Sequence, residues 1–179
     1  FNNTFYGCSK LTGIPAGLFS GISGAPAAQM FNGTFYNCYA LTGSIPSGLF
    51  GNISGAPAQY MFSGTFRGCS QLTGSIPAGL FGNISGAPAY SMFSSTFYNC
   101  SGLTGSIPSG LFGNLSGAHA ISMFLSTFYG CSGLTGSIPA GLFGNISGAA
   151  AQYMFQSTFD SCSGLTGEIP TGLFGNISG

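Results

Sequence analysis

Met61 to Ser91 reads M-F-S-G-T-F-R-G-C-S-Q-L-T-G-S-I-P-A-G-L-F-G-N-I-S-G-A-P-A-Y-S, and the chain writes this 31-residue unit almost six times. Met30, Met61, Met92, Met123 and Met154 mark the beat, each 31 residues after the last. Self-similarity at a fixed period of about 20–50 residues specifies a solenoid or array, because one unit cannot bury its apolar face alone. The units run 1–29, 30–60, 61–91, 92–122, 123–153 and a partial 154–179, and form one array. A chain made of copies leaves little room for an asymmetric active site, so a structural or binding role is expected rather than an enzyme.

Three Phe per unit account for all 18 in the chain. Like residues stacked on successive coils give aromatic columns through Phe62, Phe66 and Phe81, each ring burying a large apolar area. Ala58, Met61, Phe62, Thr65, Phe66 and Cys69 fall at i, i+3, i+4, i+7, i+8 and i+11, the spacing of a short helix's apolar stripe. Pro57 precedes that stripe, as suits a first helical position, although Gly33 and Gly64 weaken a helix. L-T-G-S-I-P, Leu72 to Pro77, reads as a short strand ended by Pro, and G-L-F-G-N-I-S-G as a returning Gly-rich loop. The expected fold is a repeat solenoid of α/β coils, a short strand and a short helix per unit, with an all-β solenoid as the alternative.

Charge is almost absent. Lys10, Arg67, Asp160 and Glu168 are the only charged residues, 2% of the chain, where an ordinary domain has about 25%. Two scattered cations cannot release the counterions that nucleic-acid binding requires, so that class is excluded. No run of about 18 apolar residues exists to span a membrane. Near-zero net charge promotes association, so glycans or neighbouring copies are expected to cover this surface. Neither end reads as a polar capping repeat, which suggests a mature segment or a stretch of a longer array; a complete small protein is the alternative.

The run T-F-x-x-C-S-x-L-T-G-S-I-P-x-G-L-F resembles the BspA-like leucine-rich repeats of bacterial and protist surface proteins, whose units carry A-F-x-x-C-x-x-L-x-x-I-x-I-P. M-F-x-x-T-F-x-x-C is similar to surface-lipoprotein repeats of mycoplasmas, and L-T-G-S-I-P to the L-T-G-x-I-P of plant-type leucine-rich repeats. The likeness covers about 20 of each 31 residues. It departs in a longer unit and in L-T-G-S-I-P being one residue short of L-x-x-I-x-I-P; the first unit, Leu11 to Pro15, is shorter still. The resemblance implies a curved, leucine-rich-repeat-like solenoid at a cell surface that binds other molecules or cells.

Cys8, Cys38, Cys69, Cys100, Cys131 and Cys162 occupy one equivalent position and form a ladder. Buried thiols are ordinary core residues, and the position resembles the Asn/Cys ladder of leucine-rich repeats, whose side chains bond to loop backbone. Disulfides between stacked neighbours and metal binding are the alternatives, the latter lacking nearby His. Asn52, Asn83, Asn114, Asn145 and Asn176 each open N-x-S, the N-glycosylation pattern of a surface loop; Asn2, Asn32 and Asn99 fit it out of phase. The competing reading is an Asn that caps a turn.

Tyr6, Tyr36, Arg67, Tyr98, Tyr129 and Asp160 vary at one position and form a candidate contact edge, since Tyr supplies contact area at low entropy cost. Two Thr rows, through Thr65 and Thr73, have the look of an ice-binding face but more simply satisfy backbone groups. His119 replaces Pro in one unit, Asp160 and Glu168 stand without a shaped cleft, and no base is paired with a Ser. No catalytic residue, metal or cofactor is therefore assigned. The expected function is a structural building block of an extracellular fibre or filament, stacked end to end on copies of itself and N-glycosylated. The alternative is a cell-surface adhesin that binds glycans or other surface molecules.

Overall fold

The computed structural model describes residues 1–178 as a stack of six coils, one per unit. Each contributes one short strand: β1 (Ser23–Gly24), β2 (Asn52–Gly55), β3 (Asn83–Gly86), β4 (Asn114–Gly117), β5 (Asn145–Ala149) and β6 (Asn176–Ser178). They form one parallel sheet in chain order, Ser54 facing Asn83 and Gly55 facing Ile84 across β2 and β3. The same register recurs at β3 and β4.

The strand is N-I-S-G, read from sequence as a loop, and not L-T-G-S-I-P. In β2 to β5 the Asn is exposed and the Ile or Leu after it buried, the period-2 alternation of a half-buried strand. L-T-G-S-I-P contributes little to pairing. Gly74 has φ +74°, outside the extended region, and so do its counterparts Gly43 and Gly105. Between these segments run single amide bonds such as Thr73 to the Gly43 carbonyl, 2.9 Å, and two isolated bridges, Gly105 with Leu134 and Gly136 with Leu165.

No α-helix occurs among the described residues. Where the apolar stripe suggested one, Ala58 to Cys69 forms a ribbon of overlapping turns. The amides of Met61, Ser63, Thr65, Arg67 and Cys69 close back three residues, at 3.0–3.3 Å. The intervening amides of Tyr60, Phe62, Gly64, Phe66 and Gly68 donate to the carbonyls of Tyr90, Met92, Ser94, Thr96 and Tyr98 in the next coil, at 2.7–3.0 Å. Every fourth residue is left-handed: Tyr60 at φ 54°, Gly64 at 58°, Gly68 at 77°. A four-residue turn period places Ala58, Phe62 and Phe66 on one side just as a helix does. The glycines that weakened the helix are where the turns reverse. A helix would spend its amides internally, leaving none to join coils.

Inside, rings of the Phe62 column stack at 5.5–5.7 Å with planes within 5° in the middle of the array. The Phe81 column stacks at 6.0 Å and meets the first at about 50°, as between Phe62 and Phe81, 4.5 Å apart. Leu72, Ile76, Leu80 and Met61 fill the remaining space, all buried. Tilted and offset pairs are the favoured aromatic geometries. The result is an all-β solenoid without the helix, its core a lattice of Phe.

Candidate functional site: an aromatic row with one cation

The turn ribbon sets the outer row. Phe66 points inward and the next residue outward, so position 67 and its counterparts align along the stack. Tyr6 lies on Tyr36, 4.7 Å between ring centroids, and Tyr98 on Tyr129, 4.6 Å, both stacked. Arg67 bridges these pairs. Its guanidinium carbon stands 5.2 Å from the Tyr36 centroid and 4.4 Å from that of Tyr98. Five of the six candidate contact residues thus form one π-stacked column. Asp160 continues it only through its backbone, whose carbonyl accepts from Gly130 at 2.9 Å; its carboxylate accepts from the Ser161 hydroxyl instead.

A shallow recess of about 330 Å³ opens beside Arg67, between Tyr36, Tyr39, Tyr98, Asn37 and Asn99, over Gly68 and Ser70. Both Asn residues are left-handed, with φ 58° and 56°. At their position the chain reads Gly7, Asn37, Gly68, Asn99, Gly130 and Ser161, so that a Gly follows each Asn. The reason is steric: a Cβ on Gly68 would meet Asn37 Oδ1, and one on Gly130 would meet Asn99 Oδ1. Each Asn amide lies over the Gly of the next coil. Tyr39 was missed by the sequence reading. It stands where other units have Ser, and its ring reaches over Gly68. Its departure from the repeat was the available signal.

The remaining candidates lie apart from this row. Asn52, Asn83, Asn114, Asn145 and Asn176 are exposed at the first position of their strands rather than on a loop. Asn2 is exposed and donates to Gln29 Oε1 at 2.8 Å, while Asn32 is half-buried. Of the cysteines, Cys8 is exposed and the other five are buried; none is paired. Cys69, Cys100 and Cys131 donate from Sγ to the carbonyls of Phe35, Phe66 and Phe97 in the coil before, each at 3.0 Å. Burial pushes the Cys69 thiol up to about 12 and the Cys162 thiol up to about 11, a state too protonated for nucleophilic or metal chemistry. Among the described residues no three His, Cys, Asp or Glu gather where they could hold a metal.

The inner Thr row is buried from Thr34 to Thr158. Thr65 Oγ1 sits 2.9 Å from the Phe31 carbonyl and 2.8 Å from that of Phe62, so its one proton is shared between coils. That row cannot be a water-facing surface; the row through Thr73 is exposed. His119 Nδ1 lies 3.1 Å from the Ala149 carbonyl, and its buried Nε2 has no partner.

No family model, curated protein or solved structure matches this chain. None of these comparisons identifies the chain with the BspA-like repeats. No helix among the described residues is long and apolar enough to cross a membrane.

Proposed function

We propose that this chain is a building block of an extracellular fibre, in which identical coils stack along one axis. The observation that carries this reading is the interface between coils. From the second coil to the fifth each ribbon donates five amides to the next, and the donor set Tyr60, Phe62, Gly64, Phe66 and Gly68 recurs one unit on as Ser91, Phe93, Ser95, Phe97 and Asn99; the first coil donates through Asn3, Phe5 and Gly7. A contact that presents one face and receives its complement is heterologous, and where its rotation does not close a ring it continues as a filament. The near-absence of charge supports the same reading, because nothing on the sides sets copies strongly apart.

The Asn row on the outer face of the sheet is the place for N-linked glycans. Equivalent Phe rings on successive coils lie only 5.4–6.2 Å apart, and a branched sugar chain is wider than one such step. Glycans would therefore occupy alternate coils or fewer, the free Asn and Ser side chains between them facing water. Electron microscopy of the native material tests the reading. Filaments whose axial repeat is a whole number of coil steps are expected; discrete short rods that never associate would overturn it. Peptide mapping after deglycosylation would show whether neighbouring Asn positions are ever modified together.

A further inference from the structure

The recess at Arg67 is where the repeat is broken twice. Arg67 replaces the Tyr of its row and Tyr39 the Ser of its own, one unit apart in sequence, and both line the same hollow. Other departures, such as His119, Asp160 and Glu168, line no shared hollow with these two; Arg67 and Tyr39 come from different units and meet. We infer that this recess binds a carboxylated sugar residue.

The chemistry follows from what is covered and what is open. The guanidinium carbon of Arg67 lies over the ring of Tyr36 from the coil before and that of Tyr98 from the coil after, so contact along the stack is aromatic and its N–H groups must find partners to the side. Those groups make no hydrogen bond among the described residues, and they pair with neither Asp160 nor Glu168. A planar fork of N–H donors held between two rings is matched by a carboxylate, which it can bind bidentately. The rest of the lining suits a sugar ring. Tyr39 is 51% exposed and offers an apolar face to ring C–H groups. Asn37 and Asn99 supply amides that donate and accept, as vicinal hydroxyls require. Gly68 keeps the floor free of a side chain. The volume falls at the lower end of small-molecule sites, about 300 Å³, room for one or two sugar residues rather than a long chain. This site does not depend on how coils assemble.

The test uses the whole chain with glucuronic acid and a short oligogalacturonate as probes, glucose and neutral oligogalactose as controls, read by calorimetry and by shifts of the Tyr ring resonances. Arg67→Tyr and Tyr39→Ser each restore the repeat's usual residue, so both variants should fold as the parent does; circular dichroism checks this. Binding of the uronates but not the neutral sugars is expected, weakened by added salt. Arg67→Tyr should lower affinity about ten- to a hundredfold, as removal of a hydrogen bond to a charged partner does. Tyr39→Ser should lower it less, for charged and uncharged ends of the probe alike. Equal binding of neutral sugars, or unchanged affinity in Arg67→Tyr, would overturn the proposal. So would uronate silence beside binding of a peptide's terminal carboxylate, which would make the recess a peptide site.

Discussion

At the residue scale, the molecule uses side chains to complete a backbone network. Thr65 and Cys69 are polar residues in a Phe core, each buried and each bonded to a Phe carbonyl of the coil before. A carbonyl carries two lone pairs, and the turn amide fills only one. The thiols have a consequence for pH. Their folded values are raised, Cys69 to about 12 and Cys162 to about 11 from about 9. Below about 9 both folded and unfolded chains hold these protons, and stability does not depend on them. Above it the unfolded chain ionises first, so stability falls as pH rises from about 9 through the folded values. Denaturation midpoints measured across this range should be flat at neutral pH and drop in mild alkali. Iodoacetamide at neutral pH should modify Cys8 alone, and the inner five only once denaturant is added. Labelling of Cys100 in the folded protein would contradict the burial described.

At the element scale, glycine decides what the strand and ribbon can tolerate. Gly82, φ +72°, precedes β3, and a Cβ there would press on the backbone carbonyl of Ile53. Gly79, φ +66°, is equally left-handed but faces open space. Gly79→Ala should cost roughly 1–2 kcal/mol, the strain of the left-handed conformation alone. Gly82→Ala should cost more, because the obstructing atom belongs to the sheet and cannot turn aside; a ranking by denaturation midpoint checks the difference. This bears on what could be read in advance. The period, the Phe columns, the inward Cys and the aligned Tyr row were legible, since all follow from which residues recur. The element types were not. Phe62 and Phe66 recur at four residues in a turn ribbon and in a helix alike, and only the left-handed residues between them separate the two. Ile53 between Asn52 and Ser54 is too short an alternation to outweigh its flanking glycines, so β2 read as a loop. The recess escaped because it joins Tyr39 of one unit to Arg67 of the next, and the repeat hides such neighbours until coils are stacked.

At the scale of the whole molecule, each coil contacts only its neighbours, so a complete unit should be removable. Deleting residues 92–122 sets the fifth coil on the third and brings Gly130 above Gly68, which leaves the floor of the row open. Deleting 61–91 instead brings Asn99 above Asn37, where the Asn amide needs a Gly, and that side chain must swing away. The first deletion should keep the parent's circular dichroism with a rod shortened by one step in small-angle scattering. The second should fold with a lower midpoint. Equal midpoints would show that the Asn and Gly alternation carries no energy. The ribbon amides at every interface, five at each from the second coil on, face the next coil, from Phe31 toward Met61, from Phe62 toward Met92, from Phe93 toward Met123. Peptide dipoles aligned in this way add, and the fewer amides that run back to the coil before, such as Thr73 to Gly43, offset them only in part. A column of them has an electrical direction, with partial positive charge gathering toward the later coils, so a thread built from this chain would be a vector whose two tips attract different ions.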